Sequence, residues 1–135
     1  MTRTPNWPTN MIGYNGLTSY GSASYWVPKM LSDGHGRRVV GATLGTRNRN
    51  LAVVASHSPG HTYAILVNNG GAMVKTTVKL VGLRGGAMGG TATVLSGNPA
   101  AQNSLTQPNL VSPKTTGLSS PVAELRSATR SRATP

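Results

Sequence analysis

The chain has 135 residues, enough for one small domain, of which 37% are hydrophobic, and it contains neither Phe nor Cys. The absence of Cys excludes disulfides, thiolate metal ligands and a cysteine nucleophile, and the absence of Phe predicts a thin core. Thirteen Lys and Arg against two acidic residues give a formal net charge of +11. Few side chains are therefore available as catalytic or metal-binding carboxylates.

The first 36 residues contain both Trp and three of the four Tyr, and they hold the one plausible helix. This helix lies within "SASYWVPKMLSD", residues 22–33, where Ser22 or Ser24 can serve as N-cap. We expect it to end near the "DGHG" turn that starts at Asp33. Pro28 fits the first turn after Ser24 but would kink a helix that began much earlier.

From residue 37 the sequence alternates between short Val- and Thr-rich runs and Gly-rich turns, a pattern typical of a β-sandwich or barrel. Within 74–80 apolar and polar residues alternate, which predicts one buried and one solvated face. The runs in the middle are apolar on both faces, as in strands between packed layers. We predict five strands, within 37–44, 50–58, 62–69, 74–83 and 90–97.

After residue 113 the apolar periodicity stops. Residues 114–135 are rich in Ser, Thr, Arg, Ala and Pro with isolated apolar residues. A segment of this composition buries too little apolar surface to offset the conformational entropy lost when the chain becomes ordered. The sequence therefore predicts a basic, disordered tail, 114–135.

Ionisable residues do not form a recognisable reaction centre. Asp33 falls in a turn and Glu124 in the predicted tail, so they are no credible catalytic pair. His57 and His61 flank "SPG" without a third ligand nearby, and His35 lies between two glycines, so all three are interpreted as turn residues. We predict no catalytic residue, no metal site and no cofactor.

The excess positive charge would favour a polyanionic partner through counterion release. The basic residues are scattered, however, with their densest stretch at 37–49, and no nucleic-acid-binding motif accompanies them. We therefore expect no specific nucleic-acid partner. No apolar run approaches the roughly 18 residues needed to span a bilayer, and no export signal is visible. No membrane partner is expected, and the compartment stays open.

Two separated stretches resemble family 51 α-L-arabinofuranosidases. Residues 7–40, "WPTNMIGYNGLTSYGSASYWVPKMLSDGHGRRVV", are similar to a segment of that family with the pattern Y-G-[ST]-x-S-Y-[YW]-V at its centre. Further on, "YAILVNN" and "TATVLSGNPAAQNSLTQPNLVSP" are similar to its strand ending in L-V-N and to its T-x-x-V-L-[ST]-G signature. The resemblance covers residues 7–113. The matched positions of the first stretch are Ile12, Tyr14, Asn15, Tyr20, Gly21, Ser24, Tyr25, Trp26, Val27, Met30, Leu31, Ser32 and Gly36.

This resemblance implies a mostly β chain with three parts. Residues 1–36 would be the remnant of the last strand and helix of a catalytic (β/α)₈ barrel, and residues 37–113 a partial, jelly-roll-like antiparallel β-sandwich. Residues 114–135 would be the disordered tail. The resemblance also implies that an ordered loop of the sandwich contains Asn103, Ser104, Pro108, Val111 and Pro113. Side-chain amides in this loop can form hydrogen bonds with backbone groups that the strands leave open.

The resemblance also implies a function and partners. Family members, which are secreted or cytoplasmic, release terminal α-L-arabinofuranosyl residues from arabinoxylan or arabinan by means of two Glu residues on earlier barrel strands. Both are missing from this sequence, so we expect an accessory domain that is inactive alone. Its partner would be a barrel supplied by an upstream polypeptide, which would hold the arabinose-containing polysaccharide. Asn15, at the mouth end of a barrel strand, is the candidate substrate-binding residue.

Departures from the family pattern point to a truncated or frame-shifted product. In "WPTN" the proline is displaced from its position in the family pattern. Pro28 stands where the family commonly has Gln, and Leu105 stands where it usually has Phe. "SSPVAELRSATRSRATP" stands where the family has an apolar closing strand, so we expect an unpaired sheet edge and self-association. Two alternatives stay open: a stand-alone carbohydrate-binding sandwich using Trp7, Trp26 or Tyr63, and a basic polyanion-binding protein.

Overall fold

The computed structural model describes residues 11–82 and 89–118, and for residues 122–127 it describes the backbone alone. Trp7, the "WPTN" stretch and the end of the predicted tail lie outside the described residues. The described part is mostly β with one helix, as the composition predicts. Its elements in chain order are β1 Ile12–Tyr14, β2 Ser19–Gly21, α1 Ala23–Asp33, β3 Arg38–Val40, β4 Leu51–Ser58, β5 His61–Asn68, β6 Val74–Lys79, β7 Gly90–Val94, β8 Lys114–Leu118 and β9 Val122–Ser127.

The described strands form small antiparallel sheets. The pairs are β1 with β2, β6 with β9, and β7 with β8, and a three-stranded sheet has the order β3-β4-β5. This arrangement confirms a partial antiparallel β-sandwich preceded by one short helix. No helix in the described ranges is long and apolar enough to cross a membrane.

The N-cap of helix α1 is Ser22, one of the two serines that the sequence offers for this role. Ser22 has extended backbone angles, and its Oγ accepts a hydrogen bond from the Tyr25 amide at 3.2 Å. The helix ends at Gly34, whose amide donates to the Met30 carbonyl at 2.9 Å. Because the helix starts at Ala23, Pro28 lies inside it, where its missing N–H removes one hydrogen bond of the helix.

We expect the Ser22→Ala substitution to destabilise the chain by about 1 kcal/mol, since it removes the side-chain acceptor for a helix N-terminal amide. Ser24, exposed within the first turn, offers the matched control. Urea denaturation of both variants checks the assignment. A Ser24→Ala effect as large as that of Ser22→Ala would contradict it.

The β4–β5 hairpin is the longest regular element, with all eight residues of β4 paired to β5 from Leu51↔Asn68 to Ser58↔His61. Its turn contains Gly60 at φ 81°, a left-handed conformation that favours glycine. Cα partners share a face, so the sheet has two faces. The Leu51 face carries Leu51, Val53, Ala55, His57, Thr62, Ala64, Leu66, Asn68, Arg38 and Val40. The Val54 face carries Ala52, Val54, Ser56, Ser58, His61, Tyr63, Ile65, Val67 and Val39.

The structure corrects the prediction of a disordered tail starting at residue 114. Lys114–Leu118 form β8, which pairs with β7, and Val122–Ser127 form β9, which pairs with all six residues of β6. One edge of β6 is therefore paired along the whole strand. Composition misled the prediction because backbone ladder bonds stabilise both strands, and β-branched Thr115 and Thr116 favour β8, although large apolar residues are few. Residues 128–135 lie outside the described residues.

The buried interior is small, as the lack of Phe predicts. Among the described residues, Val111 is the buried large apolar side chain, at 6% exposure, and it lies in the loop between β7 and β8. Gly97 packs against it, since a Cβ at Gly97 would meet Val111 Cγ2 at 3.1 Å. Buried polar side chains are Ser56 and Asn103. The loop of residues 95–113 is thus an ordered part of the fold.

Candidate functional site

Asn103 joins the N-terminal unit of β1, β2 and α1 to the sandwich loop. Its Nδ2 donates to the carbonyl of Gly21 in β2 at 2.8 Å and to that of Val111 at 2.8 Å. Its Oδ1 accepts from the Val111 amide at 2.7 Å. Asn103 is 6% exposed, and its two bonds to Val111 are buried while the bond to Gly21 is partly buried. This confirms the expected pairing of a loop amide with backbone groups.

A second junction links the N-terminal unit to the three-stranded sheet. The Gly36 amide donates to Ser56 Oγ at 2.8 Å, and the Arg37 amide donates to Ser58 Oγ at 3.0 Å. Both hydroxyls belong to the Val54 face, so the connection after α1 crosses this face of the sheet. Ser56 and Ser58 were not singled out from the sequence. Two serines at alternate positions near the end of a mostly apolar strand are the signal that could have identified them.

Asn15, the predicted substrate-binding residue, lies directly after β1 in the β1–β2 turn. Its Oδ1 accepts from the Leu17 amide at 3.1 Å, the Thr18 amide at 2.9 Å and Thr18 Oγ1 at 3.1 Å. Gly16, at φ 91°, allows the chain to reverse. The carboxamide oxygen therefore fixes the turn, and the side chain lies exposed at its tip beside Leu17, which is 94% exposed.

The two acidic residues are placed in different elements. Asp33, at the end of α1, forms an ion pair with Lys29 across one helical turn, with an Oδ2–Nζ distance of 2.8 Å. The hydrogen bond to Asp33 and the charge of its carboxylate raise the pKa of Lys29. Glu124 lies in β9, where its backbone pairs with Thr77 of β6. Asp33 thus has a cation as its partner.

The histidines are also separated by the fold. His57 lies on the Leu51 face and His61 on the Val54 face, so the two imidazoles point to opposite sides of the hairpin. His35 Nδ1 lies 2.8 Å from the Ser32 carbonyl and 3.1 Å from that of Leu31, at the end of α1. Across the described ranges no three His, Cys, Asp or Glu residues come together in a way that could hold a metal ion.

The aromatic residues proposed for sugar stacking are half-buried where they are described. Trp26 packs edge-on against Tyr25, with ring centroids 5.2 Å apart, and its Nε1 is buried with no hydrogen-bond partner. Tyr63 lies beside His61, with ring centroids 6.2 Å apart. These rings pack against their neighbours, and neither forms an open, flat platform. Trp7 lies outside the described residues.

The surface that stands out is apolar. On the Val54 face, Val39 is 79%, Val54 45% and Val67 51% exposed. This face is the one that the Gly36–Ser56 and Arg37–Ser58 bonds attach to the N-terminal unit. That unit has exposed apolar side chains of its own, at Met11, Ile12, Tyr14, Leu17, Val27 and Leu31. We call the two together the apolar surface.

Comparisons with known proteins agree with this architecture. The family model described as the α-L-arabinofuranosidase C-terminal domain matches residues 5–129, which include β8 and β9. Among solved structures, an arabinose-bound MgGH51 α-L-arabinofuranosidase is similar at 21% identity with a TM-score of 0.79, over 92% of this chain and 20% of that one. The chain thus spans about a fifth of that structure's length. The search of curated proteins gave no match.

Proposed function

The chain belongs to the α-L-arabinofuranosidase C-terminal domain family, and on that premise we propose that it is the accessory domain of an enzyme releasing terminal α-L-arabinofuranosyl residues. Its partner in this proposal is a catalytic (β/α)₈ barrel, supplied by another polypeptide or by another part of a longer one. Residues 1–36 complete that barrel with its last strand and helix, and the β-sheets from residue 37 onward pack beside it. The barrel supplies both catalytic carboxylates and holds the polysaccharide.

The observation that supports this proposal is the apolar surface. Exposed Val39, Val54 and Val67 lie on one sheet face, next to a strand–turn–strand–helix unit whose apolar side chains are also exposed. Fully burying one such side chain contributes about 1.5–3 kcal/mol, so covering several at once supports a stable contact. Large exposed apolar patches mark protein interaction sites.

Asn15 has a supporting role in this proposal. At the carboxyl end of a barrel strand, the β1–β2 turn would face the mouth of the barrel, where barrel enzymes bind their substrates. With its Oδ1 engaged by the turn, Asn15 would present its Nδ2 as a donor to a sugar hydroxyl. This role requires the rest of the barrel.

Complementation tests the proposed partnership. We expect the chain alone to give no hydrolysis of an aryl α-L-arabinofuranoside, since catalysis needs two carboxylates flanking the scissile bond. Adding it to a related α-L-arabinofuranosidase barrel that lacks its own C-terminal region should raise that barrel's activity or its thermal midpoint. The Val54→Glu variant should abolish the gain, because it places a charge in the apolar contact.

Thr91→Glu is the matched control, since it adds the same charge at an exposed position of β7. It should leave complementation intact. Turnover by the isolated chain that disappears in Glu124→Gln would overturn the assignment of catalysis to the barrel. Equal complementation by Val54→Glu and by the unmodified chain would overturn docking through the Val54 face.

A further inference from the structure

A row of three polar side chains crosses the β3-β4-β5 sheet near the β4–β5 turn. Arg38 is the Cα partner of His57, and His57 is the Cα partner of Thr62, so all three side chains project from the Leu51 face. Side chains at such partner positions lie about 5 Å apart. His57 Nδ1 lies 3.2 Å from Thr62 Oγ1, which fixes the imidazole ring against the hydroxyl. The row offers a guanidinium, an imidazole and a hydroxyl in one line.

The row is open to solvent and has no acidic neighbour within the described residues. Arg38 and Thr62 are exposed and His57 is half-buried. Among the described acidic side chains there is only Asp33, and its carboxylate forms an ion pair with Lys29 on α1. The positive charge of Arg38 therefore remains available to an external anion. A guanidinium presents two parallel N–H donors that match the two oxygens of a carboxylate.

The donor set favours an acidic sugar over a nucleic acid. Nucleic acid carries one negative charge per nucleotide, and proteins that follow a single strand use a positively charged groove along its backbone. Here one permanent cation is followed by groups that hydrogen-bond to hydroxyls, and Arg47 and Arg49 belong to the β3–β4 loop, which enters β4 at the opposite end of the sheet. One carboxylate beside several hydroxyls is the pattern of a uronic acid unit.

We propose that the Arg38–His57–Thr62 row binds the carboxylate-bearing sugars of an acidic polysaccharide, with Arg38 on the carboxylate and His57 and Thr62 on neighbouring hydroxyls. The row lies on the opposite side of the sheet from the Val54 face. It therefore stays accessible when the Val54 face is covered, and the proposal does not depend on docking to a barrel.

Binding of the whole chain to immobilised polygalacturonate tests the proposal. We expect retention in 50 mM salt that weakens as salt screens the exposed charge, and about fivefold to tenfold weaker binding for Arg38→Gln. His57→Gln should also weaken binding, and Arg38→Lys should fall between Arg38→Gln and the unmodified chain, because it keeps the charge but loses the fork. Circular dichroism establishes that each variant remains folded.

Arg47→Gln is the matched control, since it removes one exposed positive charge elsewhere on the same sheet's loops. It should change the affinity less than twofold. If Arg47→Gln weakened binding to polygalacturonate as much as Arg38→Gln, the effect would come from net charge and the proposal would be wrong. It would also be wrong if the unmodified chain were not retained. Tighter, Arg38-dependent binding of a single-stranded oligonucleotide would assign the row to nucleic acid instead. Neutral linear arabinan should not compete.

Discussion

Replacing Asn103 with alanine is expected to lower the free energy of unfolding by about 3 kcal/mol. The substitution leaves the Val111 amide and the carbonyls of Val111 and Gly21 without their partner. Each buried polar group left unpaired costs about 1–3 kcal/mol, and Val111 and Asn103 are each 6% exposed, so water compensates little. Urea denaturation measures the loss.

Two further variants separate the hydrogen bonds from mere removal of an amide. Asn98→Ala removes an exposed carboxamide whose Oδ1 accepts from the Ala100 amide at 2.9 Å, and it should cost much less. Asn103→Asp keeps an acceptor for the Val111 amide but turns the two donated bonds into contacts between oxygens, so it should destabilise like alanine or more. Equal stability of Asn103→Ala and Asn98→Ala would contradict a joining role for Asn103.

Hydrogen exchange adds a local readout of the same junction. In the unmodified chain the Val111 amide should be protected, because it is buried and bonded at 2.7 Å. In Asn103→Ala its protection should fall together with that of β2, since both contribute groups to the same side chain. Loss at Val111 alone would mean that the loop and the N-terminal unit move independently.

Local sequence patterns predicted the elements that carry their own signal. The Ser22 side chain and the apolar residues after it predicted α1, and the Val-rich runs between glycine turns predicted β4, β5, β6 and β7. The alternation at 74–80 predicted a half-buried strand, and Val74, Thr76 and Val78 are indeed less exposed than Lys75, Thr77 and Lys79. Leu80, expected on the same face, follows the end of β6 and is 42% exposed. Periodicity is a property of neighbouring residues, so it needs no knowledge of the partner strand.

The strands missed after residue 113 depend on partners far away in the chain. β8 pairs with β7 and β9 with β6, and the residues of β9 lie nearly fifty positions from those of β6. Strand pairing of this kind is decided by backbone ladder bonds and by which edge is available, and composition does not record either. The prediction of disorder was therefore wrong for Lys114–Leu118 and Val122–Ser127, because composition alone does not record strand pairing.

The candidate sites also divide into those that the sequence predicted and those that only the strand register reveals. Asn103 was placed in an ordered loop through the family resemblance, while the cross-strand row of Arg38, His57 and Thr62 required the register of three strands. The spacing of His57 and His61 left their relative orientation open until the register put them on opposite faces. The contact of Gly36 with the sheet has no local pattern, because it joins residues about twenty positions apart.

Gly36→Ala is expected to destabilise the chain by about 2–3 kcal/mol through overpacking. A Cβ at this position would lie 2.6 Å from the His57 N and C atoms and 2.7 Å from its carbonyl oxygen, far inside contact distance. These are backbone atoms in the middle of a sheet, so the neighbour cannot rotate away as a flexible side chain would. Relief requires moving residues 34–37 off the Val54 face, which breaks the Gly36–Ser56 bond of 2.8 Å.

Gly41→Ala is the matched control, because it lies just after β3 and a Cβ there would meet nothing within 4 Å. It should be neutral or slightly stabilising, since alanine restricts the unfolded chain more than glycine does. If Gly36→Ala and Gly41→Ala have the same thermal midpoint, Gly36 does not contact the His57 backbone as it does in the structure. If Gly36→Ala alone is destabilised and also fails to complement a barrel, the crossing over the Val54 face positions the N-terminal unit for docking. Its glycine would then be required by function as well as by stability.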